Sequence, residues 1–145
     1  MTDSRKEDGP VGIVIVTHAD YGTALVRAAE VILGPQPDCG TVCVDNTHEV
    51  AETVAGLKET VARLDHGRGV LILTDMFGGT PTNLSLSLLG TGNVEVLTGV
   101  NLPMLLKVLG SRNLPLEQLA EEAKAAGDKG IVLAGDLLRK RVKKG

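Results

Sequence analysis

Apolar residues follow two alternating spacings along this chain, and the alternation predicts its elements. Residues 11–17, "VGIVIVT", form a short continuous apolar run rich in β-branched side chains, too short for a helix and too evenly apolar for a half-exposed strand. They are predicted to be a buried strand. In "GTALVRAAEVILG" (residues 22–34) the spacing changes: Leu25, Ala28, Ala29, Ile32 and Leu33 share one helical face, and Gly34-Pro35 marks the helix end. The same two patterns then recur. A strand over 40–45 precedes a long amphipathic helix within residues 47–67, carrying Val50, Val54, Leu57, Val61 and Leu64, with Thr47 as its candidate cap. Thr47 lacks the usual capping-box partner: Val50 stands where Glu is expected, with Glu49 beside it. A strand over 69–75 and a helix over 81–90 follow, then a strand over 93–100 and helices over 102–110 and 115–127. The apolar "KGIVLAG" (129–135) predicts a last short strand.

This order predicts an α/β fold: a doubly wound, mainly parallel, flavodoxin-like sheet of order 2-1-3-4 with helices on both faces. Its ligand site belongs outside the carboxyl ends of the strands, at the switch point. At 145 residues the chain is expected to be one domain, able to bury roughly 68–70% of its unfolded surface. Residues 11–137 are the expected domain; 1–10 and the basic stretch 138–145 are expected flexible tails.

Composition sharpens this picture. Tyr21 and Phe77 are the only aromatic residues, so the core must be aliphatic, as suits a buried parallel sheet. A net charge of -3 argues against nucleic acid as the main partner, although "RKRVKKG" at the end carries five positive charges. No apolar stretch reaches the roughly 18 residues that span a bilayer, and the first residues lack a hydrophobic signal region, which places the chain in the cytoplasm. Cys39 and Cys43 have a C-x3-C spacing unlike that of a zinc knuckle or a CxxC redox pair, and read as reduced thiols. His18, His48 and His66 are scattered, so no metal site and no cofactor is expected; His48 and His66 read as solvated residues near helix ends.

The candidate chemistry gathers at two strand ends. His18 follows the first strand and Asp75 closes the third, and in a 2-1-3-4 sheet these strands are neighbours. If Asp75 accepts a hydrogen bond from Nδ1–H of His18, Nε2 keeps a free lone pair and acts as nucleophile or base. Otherwise both are loop caps. Gly78 and Gly79 permit positive φ and close backbone approach to a ligand. Thr80 as N-cap and Pro81 in the first turn would bring a helix N-terminus, attractive to phosphate, to the same place. A turn that needs glycine for steric reasons alone is the other reading. Asn101 stands at the rim or caps the fourth helix, Asn83 has the same two readings, and Asp20 assists His18 or starts the first helix. Neither GxxxxGK[ST] nor GxGxxG occurs, and the acid pair and lysine of a response-regulator receiver are missing.

Three blocks, "GIVIVTH", "LTDMFGGTPTN" and "EVLTGVNLPMLL", occur in order. Together they resemble the IIA component of the mannose/fructose/sorbose class of the bacterial sugar phosphotransferase system. The resemblance implies a phosphocarrier: His18 takes a phosphoryl group on Nε2 from the histidine-containing phosphocarrier protein and passes it to a IIB protein for sugar uptake. It also implies that Asp75 orients His18 and that Gly78, Gly79 and Thr80 cradle the phosphoryl group. A homodimer is implied too, in which a C-terminal strand at about residues 131–133 crosses to the partner's sheet.

Some features depart from the family. Ala19 stands where many members have glycine after the histidine, and no IIB segment follows, so a separate IIB partner is expected. A regulatory module whose phospho-His18 state controls another protein is the alternative. The phosphoryl-donor subunit of dihydroxyacetone kinase shares the fold, but "FGGTP" argues against that branch. A hydrolase with Thr80 as nucleophile is the remaining class. An exposed Phe77 at the cleft rim would suit docking of a partner protein.

Overall fold

The computed structural model describes residues 9–144, so most of the expected flexible segment 1–10 lies outside the described residues. Four parallel strands form one sheet in the order β2-β1-β3-β4, with β1 at Gly12–His18, β2 at Cys39–Val44, β3 at Val70–Thr74 and β4 at Val94–Thr98. The central strands are the ones whose sequences are evenly apolar. β3 is buried throughout and β1 is buried up to Thr17, while edge strands β2 and β4 are largely half-buried.

Alternation along the central strands divides the core in two. Ile13, Ile15, Leu71 and Leu73 face helices α1 (Tyr21–Leu33), α4 (Leu102–Leu109) and α5 (Leu116–Lys129), meeting Leu25, Ala29, Met104, Leu105 and Leu119. Val14, Val16, Val70 and Ile72 face the other side, meeting Leu57 and Leu64 of α2 (Val50–Leu64) and Leu88, just after α3 (Thr80–Leu86). Each fully buried side chain of this size contributes about 1.5–3 kcal/mol. Helices therefore cover both faces, as the apolar spacing requires.

At the amino-terminal edge of the sheet, Arg112 is a buried clamp that was not recognisable from the sequence. Its guanidinium donates to the carbonyl of Val11 at 3.0 and 2.8 Å, to that of Asp38 at 2.8 Å and to that of Pro37. The starts of β1 and β2 are thereby tied together. Cys39 lies beside this clamp with its thiol pushed up to about 11 by burial, and both cysteines are free.

Several boundaries differ from the expected ones for identifiable reasons. Thr47 does not cap α2; its N–H and hydroxyl are both taken by Asp45, and Glu49 stands at the cap position without a side-chain bond. α3 ends at Leu86 rather than Gly90, because the chain tightens into turns in which Leu88, Leu89 and Thr91 bond three residues back. The strand expected over 129–135 is absent from this sheet. Lys129 closes α5, and Ile131, Val132 and Leu133 have no regular structure and are 78%, 55% and 71% exposed. A strand needs a ladder partner, and none of the four strands supplies one within the chain. From Ala134 a sixth helix, α6 (Ala134–Lys144), runs through most of the basic segment read as a flexible tail.

Candidate functional site

β1 ends on His18, the one residue of that strand to reach solvent, with its side chain 51% exposed. The β1–β3 register pairs Val16 with Thr74, so Asp75 emerges beside His18 at the carboxyl edge. The two meet directly. Oδ2 of Asp75 accepts from the His18 backbone N–H at 2.9 Å and lies 2.7 Å from Nδ1 of the ring, while Oδ1 accepts from the Met76 N–H at 3.1 Å. Nδ1–H donates in this arrangement, which leaves Nε2 with the lone pair. Burial raises the pKa of Asp75, but the hydrogen bonds from the His18 backbone and ring, with the charge of that ring, outweigh it. The carboxyl is held below its ordinary value, so it remains an anion against the ring.

The Gly-Gly pair has two separate causes. Both glycines have positive φ, +84° at Gly78 and +83° at Gly79. A Cβ at Gly78 would meet nothing within 4 Å, so that position needs glycine for its backbone alone. A Cβ at Gly79 would lie 3.3 Å from Cε1 and 3.6 Å from Nε2 of His18. Gly79 thus keeps the space beside the Nε2 edge of the ring clear.

Gly79, not Thr80, is the cap residue of α3. Thr80 is the first helical residue and exposed, and Pro81 follows it in the first turn. The loop is anchored by two threonines outside the expected site residues. Thr82 is fully buried, donates to the carbonyl of Met76 and lies 2.7 Å from the hydroxyl of Thr74. The repeated threonine of "TPTN" was the available signal.

The remaining candidates divide by what their side chains already hold. Asn101 caps α4 by accepting from the Met104 N–H at 3.0 Å and donates to the Gly127 carbonyl at 3.1 Å, so both ends of its amide are engaged. Asp20 stands at the α1 cap position without a side-chain cap bond, and Asn83 is exposed on α3. Phe77 is 78% exposed on the loop beside the site, next to exposed Met76. Ala19 occupies the left-handed region at φ +49°, with its N–H on the Val44 carbonyl at 2.9 Å. His66 is at the far edge, 2.8 Å from Asp38. A cavity of about 300 Å³ opens beside His18 and Thr80, and its other walls include Asp45 and His48.

A sequence-family model described as the PTS system fructose IIA component matches residues 12–126, spanning His18, Asp75 and the Gly-Gly loop. The chain belongs to this family, the IIA components of the mannose/fructose/sorbose class of the sugar phosphotransferase system. It is 32% identical over 124 residues to the mannose-specific EIIAB component of Escherichia coli K12, covering 83% of this chain and 38% of that protein. It therefore spans well under half of that relative. The fructose-specific EIIA component of Bacillus subtilis 168 is 27% identical over 132 residues, 90% of either chain. Among solved structures, the phosphotransferase system component EIIA of Streptococcus agalactiae superposes with a TM-score of 0.80 at 26% identity, covering 87% of this chain and 98% of that one. IIA components are phosphotransfer proteins of sugar uptake, and no helix of the described residues is long and apolar enough to cross a membrane.

Proposed function

We propose that this IIA component carries a phosphoryl group on Nε2 of His18, accepting it from the histidine-containing phosphocarrier protein and passing it to a IIB protein during sugar uptake in the cytoplasm. The observation that carries the reading is the 2.7 Å contact between Nδ1 of His18 and Asp75, with Gly79 leaving the Nε2 side open.

In the first step the Nε2 lone pair attacks phosphorus, the donor's N–P bond breaks, and its electron pair returns to the donor imidazole. Nδ1 keeps its proton throughout, donating it as a hydrogen bond to Asp75. The phosphorylated ring then carries positive charge, and the Asp75 carboxylate balances it. In the second step the acceptor's nucleophile attacks phosphorus and Nε2 takes back its pair. Backbone N–H groups around Gly79 and Thr80 and the exposed Thr80 hydroxyl are suited to the phosphoryl oxygens, and exposed Phe77 and Met76 offer apolar area for docking.

Homodimer formation belongs to the same proposal. Its support is the exposed apolar stretch Ile131 to Leu133, which directly follows α5 and has the side chains of an edge-adding strand. Sedimentation of the intact chain beside an Ile131→Asp/Leu133→Asp variant would test it, with a monomeric wild type overturning the exchange.

Incubation with phosphoenolpyruvate and the general phosphotransferase proteins is expected to give an acid-labile adduct that disappears in His18→Ala. An adduct persisting in that variant overturns the assignment of His18.

A further inference from the structure

The cavity beside His18 contains a second histidine whose Nδ1 is also held, here by the hydroxyl of Thr47, which is itself bonded to a carboxylate. Its walls include His18 and Thr80 and, from the turn after β2 and the start of α2, Asp45, Asn46, His48 and Thr53. Within that turn the protons can be placed. Asp45 Oδ1 accepts from the Thr47 N–H at 2.9 Å and from the Thr47 hydroxyl at 2.5 Å. With its proton given to Asp45, the Thr47 oxygen can only accept from Nδ1–H of His48, 2.9 Å away; the same nitrogen is 3.5 Å from Asp45 Oδ1. The bonds to Thr47 hold Asp45 below its ordinary carboxyl range, so the brace is anionic. Nδ1 is therefore protonated and occupied, and Nε2 of His48 is free for another partner.

Charge indicates what that partner is. A phosphoryl group on His18 brings negative charge into a cavity that already contains Asp45, with Asp75 behind the His18 ring. Among the described residues lining the cavity there is neither Lys nor Arg. His48 is the lining side chain, other than His18 itself, that can become a cation. Asp45 and His18 are the titratable groups that line the cavity with it, from the β2 and β1 ends; α2 and α3 add none to the lining.

We propose that His48 is a phosphoryl-contacting residue of this site, taking a proton on Nε2 and donating it as a hydrogen bond to the phosphoryl group carried by His18. The proposal rests on the phosphocarrier reading of His18. His48 makes and breaks no bond to phosphorus; it takes a proton from solvent as the dianion arrives and releases it as the group leaves.

The test is the titration of the His48 ring, followed by NMR in the intact wild-type protein before and after phosphorylation by phosphoenolpyruvate and the general phosphotransferase proteins. The phosphorylated form is expected to titrate at a pH higher by about one unit or more, the usual effect of an opposite charge within a few ångströms. The rate of His18 phosphorylation is expected to fall about 10-fold in His48→Ala, the size of a lost hydrogen bond to a charged group, and to recover in part in His48→Gln. An unchanged ring titration overturns the proposal, even with a slower variant, since that pair of results assigns His48 to partner docking. If wild type takes up no phosphoryl group, the phosphocarrier reading fails and this proposal with it. If His18 is phosphorylated normally while His48 is indifferent, only this proposal fails.

Discussion

Asp75 grips His18 at two points with one oxygen, taking the backbone N–H at 2.9 Å and Nδ1 of the ring at 2.7 Å. The first contact fixes where the residue sits and the second fixes which ring nitrogen is left bare. Asp75→Asn retains an oxygen but not the charge, and its amide can offer N–H to the ring in place of an acceptor. Phosphorylation of His18 is expected to slow roughly 10- to 100-fold, the loss of a hydrogen bond to a charged group. Rapid-quench measurement of adduct formation checks it; a wild-type rate would make Asp75 a purely structural residue.

The same pair gives stability a pH dependence. The folded carboxyl of Asp75 lies below the ordinary value of 3.8, so its contribution is fully present above that value and is lost as pH falls through the folded-state value. Chemical denaturation of wild type and Asp75→Asn should show a gap near neutrality that narrows in acid. A gap that widens on acidification would contradict the assignment.

Gly78 and Gly79 are expected to respond differently to alanine. Both substitutions place a Cβ on positive-φ backbone that favours glycine and cost about 1–3 kcal/mol of stability. Only Gly79→Ala also puts that Cβ 3.3 Å from Cε1 of His18. Thermal melts should fall for both variants, and at least as far for Gly79→Ala, while phosphoryl transfer should fall markedly in Gly79→Ala and little in Gly78→Ala.

Ala19 is strained at φ +49°, immediately after His18. Relief of that strain by Ala19→Gly is opposed by the greater freedom of glycine in the unfolded chain. A net gain of about 0.5–1 kcal/mol is expected from urea denaturation. A destabilised variant would mean that the left-handed turn is not strained.

Arg112→Met should cost about 2–4 kcal/mol, because it leaves the carbonyls of Val11, Pro37 and Asp38 without their shared donor. Since the clamp is at the opposite edge from His18, the transfer rate per folded molecule should stay within about twofold of wild type. Calorimetry and single-turnover transfer on one preparation separate the two effects.

His18 and Asp75 could be read from the chain because each ends an unmistakable apolar run, and neighbouring parallel strands bring such ends together. Unbroken runs such as "VGIVIVT" leave little doubt about a buried strand. Hydrogen bonds inside turns leave no such periodic trace. The Asp45-Thr47-His48 network looked like a helix start because Thr47 is a good cap by type, and the type does not reveal that Asp45 has already taken its hydroxyl. Thr80 was misplaced by one residue for a related reason: Gly79, at φ +83°, turns the chain just ahead of it. The apolar stretch Ile131 to Leu133 has the composition of a strand, but composition does not supply a neighbour to pair with.

The sheet register has a consequence for how sequences of this kind can change. His18 and Asp75 meet because Val16 is opposite Thr74, and that alignment is shared along the ladder down to Gly12 and Val70. Insertion or deletion of one residue within either strand would displace one partner by about 3.3 Å and turn its side chain to the opposite face. The central strands are therefore expected to drift by substitution and almost never by length, so natural variation in length should collect at the far ends of the helices.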